Sequence, residues 1–448
     1  MLNIKNLRFN CRQLQYCLGL VLSIISGSAR AQTFTAKGGA LYDYLGYYFR
    51  QEFDIEVNGL PKVSGSNFGL EAIILNIHHD RVSDLKITLQ SPAGTSIWLT
   101  NRNGGDNGQN YINTRFSQFG KDGLISAAKA PFTGNYRPDG QLEFLNDSQN
   151  PNGTWKLFIE DLKKEKTGVL DSISLIFGNK PAHTTITNKC DMAHISLCKC
   201  ANGKKNGELL PDLVIVPYFS KNQMHEYAWN DPVYPGQLRL AATIANIGYG
   251  PMEIRGTDEW LCGDTKVKSS QPCPDGKMSR IKVKQRVYSK QNDALTYKEY
   301  DAGTMYYENK PGHNHFHVDD WIEFRLVKNT GNKRKIVAKG RKVSYCLFTT
   351  GLFYNSDIFN TINGKRYGET MPNYALGNYP TCDVEKQGIS VGGYDTYGML
   401  YEGQYMDLPR GLKKGEYTLE IEIDPHHWYR ESNKKNNIFR MQVIISKQ

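Results

Sequence analysis

Apolar and polar residues alternate with the period of a β-strand along most of this chain, and runs with helical periodicity are scarce. Leu85, Ile87 and Leu89 interleave with Lys86, Thr88 and Gln90, and Trp155, Leu157 and Ile159 repeat the pattern. Near the far end Tyr417, Leu419, Ile421 and Ile423 are expected to face a core, with Thr418, Glu420 and Glu422 outward. Leu238 to Ile247 and Trp321 to Val327 also read as strands. Dense turn signals separate them, as in Ser91-Pro-Ala-Gly94, Asn103-Gly-Gly-Asp-Asn-Gly108 and Asn150-Pro-Asn-Gly153. The expected fold class is therefore all-β, and 448 residues are too many for one core of common size. Two β-sandwiches are expected, at 32–180 and 209–448, the second with long loops. Between them, 181–208 reads as a cysteine-bearing linker.

The first 31 residues have a different character. Lys5, Arg8 and Arg12 precede an apolar run from Cys17 to Ile25, and Ala29-Arg30-Ala31 follows before Gln32, the pattern of a secretory signal peptide. The run is too short to span a bilayer, and no later stretch reaches about 20 apolar residues. A secreted protein with cleavage near Ala31 is expected. The formal charge of +10 falls to +6 without the leader's four basic residues. Such an excess gives no argument for a nucleic-acid partner. Export makes disulfides expected, with Cys262–Cys273 across a short polar loop and Cys346–Cys382 as a second pair. Cys190, Cys198 and Cys200 leave an odd thiol, and the oligomeric state stays open.

Three of the ten histidines, His313, His315 and His317, occupy alternate positions in Pro311-Gly-His-Asn-His-Phe-His-Val-Asp-Asp320. Alternate residues of a strand share a face, as three ligands to one ion must. A flat strand would place the outer two about 13 Å apart, so the segment has to twist or bend, and Pro311-Gly312 can supply the bend. An all-imidazole set suits Cu(II) or Zn(II). His78-His79 and His426-His427 point to opposite faces of any strand and are read as ordinary histidines.

Two family resemblances follow from longer motifs. Asp84-Leu-Lys-Ile-Thr-Leu-Gln-Ser-Pro-Ala-Gly-Thr95, Asn152-Gly-Thr-Trp-Lys-Leu157 and Gly168-Val-Leu-Asp-Ser-Ile173 resemble the P domain found beside subtilisin-type proprotein convertases. That resemblance implies a jelly-roll-like accessory sandwich without chemistry of its own. Its acidic and Asn-rich loops are candidate Ca2+ ligands, although solvated loops have the same composition. After the histidines come Gly340-Arg-Lys-Val-Ser-Tyr-Cys-Leu347, Gln387-Gly-Ile-Ser-Val-Gly-Gly-Tyr-Asp-Thr-Tyr397, Gly415-Glu-Tyr-Thr-Leu419 and Glu431-Ser-Asn-Lys-Lys-Asn-Asn437. In this order, with Pro211-Asp-Leu-Val214 ahead, they resemble the lysyl oxidase catalytic domain over about 209–448.

This second resemblance implies copper on His313, His315 and His317. It also implies a lysine tyrosylquinone made from Lys342 and Tyr397, oxidised by O2 and then attacked by the lysine amine. The activity it implies is oxidative deamination of primary amines or peptidyl lysine to aldehydes, releasing ammonia and hydrogen peroxide. Asp319, Asp320 and Asp395 lie near the motifs as candidate bases or orienting groups, none of them singled out. The cysteines that animal members carry before the first ligand and before Tyr-Asp-Thr-Tyr are Gly312 and Gly393 here, features more in keeping with bacterial members. A secreted metal-binding or adhesion protein without catalysis is the alternative reading, and a zinc hydrolase the third.

Overall fold

The computed structural model describes residues 31–45, 49–105, 107–146, 148–182, 190–191, 194–308, 315–331, 333–340, 344–355 and 357–448. Among these the chain is all-β, and its one α-helix is the short Pro217–Asn222. The signal segment 1–30 lies outside the described residues.

The N-terminal part is a sandwich of two sheets. One runs Gln32–Lys37, Gly168–Gly178, Gly69–His79, Tyr111–Ser117 and Asn135–Tyr136; the other runs Gln51–Val57, Gly153–Asp161, Leu85–Gln90 and Ser96–Asn101. Neighbours are antiparallel except for Tyr111–Ser117 with Asn135–Tyr136. Leu85, Ile87, Leu89, Ile97, Leu99, Trp155 and Leu157 meet Leu70, Ile73, Leu75, Ile173 and Phe177 in one continuous apolar core. The period of two that suggested strands is thus the period with which these side chains enter the core.

The C-terminal part distributes its strands over several smaller sheets. The largest runs Thr265–Val267, Met252–Cys262, Arg280–Gln291, Ala294–Glu308 and His315–Val318, so the histidine segment is an edge strand. A second sheet contains Ala242–Asn246 and Gly393–Tyr397, and a third pairs Ile322–Thr330 with Gly415–Ile423 and Ile438–Ile445. Their inner faces share a core built on Trp321, Phe324, Tyr345, Leu419 and Ile421.

Three local expectations are corrected. Leu238 to Ile247 is not one strand: Gln237–Leu240 and Ala242–Asn246 belong to different sheets, the chain changing sheets at buried Ala241. Glu420 and Glu422 lie on the face opposite Leu419 and Ile421 yet are buried, because Arg325, Arg334 and Arg440 lie across them as ion pairs. Lys86 is likewise buried, its ammonium 3.0 Å from Glu160. The outer face of that strand is covered by the C-terminal half.

The contact between the halves is extensive. Leu124 enters an apolar cluster with Val216, Phe219 and Phe359, and Arg137 pairs with Asp357 at 3.0 Å while lying over the rings of Tyr354 and Phe359. Gln118 is hydrogen-bonded to the Tyr354 hydroxyl.

Candidate metal and cofactor site

The strand His315–Val318 pairs on one side with Ala294–Glu308, which sets Tyr306 opposite His317 and Glu308 opposite His315. On its other side the Val318 amide donates to the Tyr345 carbonyl at 2.7 Å, and the Tyr345 amide donates back at 3.1 Å. Fully buried Gln387 braces the same junction, its Nε2 donating to Phe316 O at 2.9 Å and its Oε1 accepting from the Leu347 amide at 3.0 Å. Phe316 and Val318 pack on the core, so alternation turns His315 and His317 to the opposite face together.

There the two imidazoles converge, with Nε2 to Nε2 at 2.9 Å. Two imidazole nitrogens bound at right angles to one ion, each bond about 2.0–2.1 Å, lie about 2.9 Å apart. This is the spacing of a hydrogen bond between the rings, and it also fits two ligands at right angles on one Cu(II), whereas tetrahedral Zn(II) would hold them about 3.3 Å apart. His317 is wholly buried and His315 half-buried. His313 lies outside the described residues, and so does Lys342.

Tyr306, which no sequence motif singles out, stands edge-on to His317 with ring centroids 5.8 Å apart. Its hydroxyl donates to Glu308 at 3.2 Å and lies 2.7 Å from Ser344 Oγ, two residues beyond Lys342. Burial pushes its phenol above the usual range. Arg280, Tyr306, Glu308, Asp319, Ser344 and Glu402 line a cleft of about 500 Å³ beside it.

Tyr397 ends the strand Gly393–Tyr397, opposite Ala242. Its hydroxyl accepts from the Cys346 amide at 2.8 Å and donates to the Cys346 carbonyl at 3.0 Å. Its ring stacks on Tyr345 with centroids 3.9 Å apart. Tyr345 thus touches both parts of the predicted site, bridging to the histidine strand through its backbone and to Tyr397 through its ring. Burial drives the Tyr397 phenol well above its usual pKa, with the nearby Asp395 carboxyl adding to the effect.

Of the three aspartates, Asp395 is fully buried and accepts from Thr350 Oγ1 at 3.1 Å, and burial holds it well above the carboxylate range. Asp319 is pushed up to about 6 by burial, countered by Arg280 at 3.2 Å and by the Thr304 hydroxyl. Asp320 approaches His426 at 3.6 Å.

Cys190–Cys198, Cys262–Cys273 and Cys346–Cys382 are disulfides, and Cys200 is a buried free thiol. Among the described residues, the three potential ligand groups that come together are His315, Cys346 and Cys382, within 4.8 Å of one another. Because these two sulfurs are bonded to each other they are not thiolates, so the disulfide is a neighbour of the histidine rather than a donor set. The position of the family's other cysteine, Gly393, is closed: a Cβ there would lie 2.9 Å from Thr349 Cγ2 and 3.0 Å from Ser390 O. His79 is buried against Asp161 at 3.1 Å and exposed His78 faces Asp171 at 3.3 Å, while His426 stacks on Trp428. None of these is drawn into the His315–His317 group. Among the described residues no helix is long and apolar enough to cross a membrane.

Comparison with known proteins bears on both halves. Residues 72–177 match the family model for the proprotein convertase P-domain, and residues 275–448 match that for lysyl oxidase. Human protein-lysine 6-oxidase is 29% identical over 132 residues, covering 29% of this chain and 26% of the human protein. The pig protein-lysine 6-oxidase is 28% identical over 132 residues, 29% of this chain and 44% of that sequence, and zebrafish lysyl oxidase homolog 2B is 29% identical over 129 residues, 29% and 14%. The chain thus spans about a quarter of the length of the human relative. By the two family matches, the chain carries a P domain of the proprotein convertase type followed by a domain of the lysyl oxidase family.

Proposed function

We propose that this chain is a secreted, copper-dependent amine oxidase that makes a lysine tyrosylquinone from Lys342 and Tyr397 and acts on primary amines or peptidyl lysine. The division into a P domain at 32–180 and a catalytic domain at 209–448 belongs to the same proposal. The observation that carries it is the convergence of the His315 and His317 Nε2 atoms at 2.9 Å in a fold where Tyr345 joins their strand to Tyr397.

His313, His315 and His317 would hold the copper, and neutral imidazoles suit it. When bound, copper and the quinone supply the redox chemistry: two electrons leave the amine, O2 takes them up, and an aldehyde, ammonia and hydrogen peroxide are the products. The remaining work falls to the chain's own side chains. The Cys346 amide and carbonyl fix the Tyr397 hydroxyl, and stacking on Tyr345 fixes the plane of its ring. Burial keeps this phenol protonated, so a cation nearby is what would favour its ionised form. The Tyr306 hydroxyl donates to Glu308 and is hydrogen-bonded to Ser344, which ties Ser344 to the histidine side of the cleft. In the adjoining cleft the Asp319 carboxylate is held by Arg280 at 3.2 Å and by the Thr304 hydroxyl at 2.8 Å.

Peptide mass spectrometry of the protein loaded with copper under air tests this reading. A single cross-linked species bearing Lys342 and Tyr397, absent from zinc-loaded protein and from Lys342→Ala, is expected. Copper bound with the two peptides separate would instead favour a non-enzymatic metal-binding protein.

A further inference from the structure

Trp98 belongs to the N-terminal sandwich but does not enter its core. In the strand Ser96–Asn101 the core takes Ile97 and Leu99, so the period of two turns Trp98 to the outer face. That face meets the C-terminal half. The indole lies against the His315 ring, with centroids 6.1 Å apart at 39°, and makes an edge contact with Phe348 at 4.6 Å. It also packs on the small cluster of Cys346, Phe348 and Cys382. From behind, the Lys86 ammonium lies 5.3 Å from the indole and is itself tied to Glu160 at 3.0 Å. The Trp98 carbonyl accepts from the Gly140 amide at 2.8 Å. Arg50, Lys86, Trp98 and Glu160 from one half, with His315 and Asp383 from the other, line a cleft of about 530 Å³.

We propose that Trp98 is a positioning residue for His315, so that the P domain forms one wall of the metal site of the lysyl oxidase domain. The proposal rests on His315 being a metal ligand, as in the function proposed above. An imidazole can rotate about two side-chain bonds, and groups packed around a ligating histidine fix its orientation and change metal affinity by about 10–100-fold. His315 stands at the more open side of the pair, on an edge strand, with Trp98 and the Cys346–Cys382 disulfide beside it. The same indole packs on the cluster that contains Cys346, the residue whose backbone holds the Tyr397 hydroxyl. Removing it would free the ring and open the cleft to water at the edge of the site. Lys86 has a role in this arrangement: its buried charge, paired with Glu160, backs the indole.

The test uses the full-length chain with histidine rings labelled for NMR, together with copper titration followed by electron paramagnetic resonance. Trp98→Leu keeps an apolar filling without the ring, Trp98→Phe restores an aromatic ring, and Asp357→Asn disturbs the inter-half contact elsewhere. Trp98→Leu is expected to move the His315 ring resonances in the metal-free protein, to weaken copper about 10-fold and to alter the copper spectrum. Trp98→Phe should recover most of these properties, and Asp357→Asn should leave them as in wild type. Unchanged His315 resonances and copper affinity in Trp98→Leu would overturn the proposal, as would equal effects from Asp357→Asn. A wild-type protein that takes no copper at these histidines would defeat the proposed function, while the resonances of metal-free Trp98→Leu would still decide whether Trp98 orients His315.

Discussion

The two halves use β-structure differently. The N-terminal sandwich puts two sheets around one core, and the polar groups it buries, such as His79 with Asp161, Asp139 with Asn101 and Asn146 with Leu70 and Ala182, are bonded to one another or to backbone. The C-terminal half divides its strands among several sheets and brings histidines, tyrosines and carboxyl groups inside, at the edge of the largest sheet. Buried polar groups cost stability unless they are bonded to one another or serve a ligand. Those around His317 and Tyr397 are the ones that the proposed function puts to use. The sandwich supplies rigidity and, through Trp98, one surface of that place.

Substitutions can break this contrast. The largest effect is expected from His317→Ala, which removes one of the converging nitrogens. Copper affinity should fall at least about 100-fold, beyond the range of neighbours that do not touch the ion, while far-ultraviolet circular dichroism keeps its β signature. Isothermal titration with Cu2+ measures it. Trp155→Ala should do the reverse. Trp155 is fully buried in the sandwich core, so its loss should cost about 3–5 kcal/mol in denaturant unfolding, with the histidine site of the still-folded fraction unchanged.

A pH series sharpens the comparison, because each half holds an acid that burial pushes up to about 7. Asp139 in the sandwich and Glu431 in the C-terminal half are each pushed up to about 7 by burial, against the hydrogen bonds they accept. A raised carboxyl favours the folded state while it is protonated in both states, below about pH 4. That contribution is lost as pH rises through 7, where the folded chain must bury the charge. Asp139→Asn should flatten the fall in stability between about pH 4 and 7, by at most about 4 kcal/mol at the alkaline end. A pH dependence identical to wild type would show that Asp139 is already ionised when folded. The smallest effect belongs to the exposed Lys156–Glu52 pair on the sandwich surface. Lys156→Ala should leave the melting temperature unchanged.

Much of the fold was legible in the sequence because alternation reports directly which side chains enter a core: Leu85, Ile87 and Leu89 are all buried as expected. What the alternation could not report is what lies across the other face. Lys86 looks like a solvated residue in its own strand, yet Glu160 and Trp98 of neighbouring strands hold it at the floor of a cleft shared with the C-terminal half. The break at Ala241 was hidden for a similar reason, since an unbroken apolar run does not say where a chain changes sheets. At the site, the period of two correctly set His315 and His317 on one face. Tyr306 was invisible because it reaches the site across sheet register with no local motif around it, and Gln387, although it opens a motif, gave no sign that it braces the histidine strand by packing between segments.

The central claim, that the C-terminal half oxidises amines, is tested most directly by incubating the copper-loaded protein with n-butylamine or a lysine peptide under air and measuring hydrogen peroxide and aldehyde together. Equal amounts of both, lost on removing copper and in Tyr397→Phe, are the predicted result. Copper bound at the histidines with neither product formed from any amine would contradict the account.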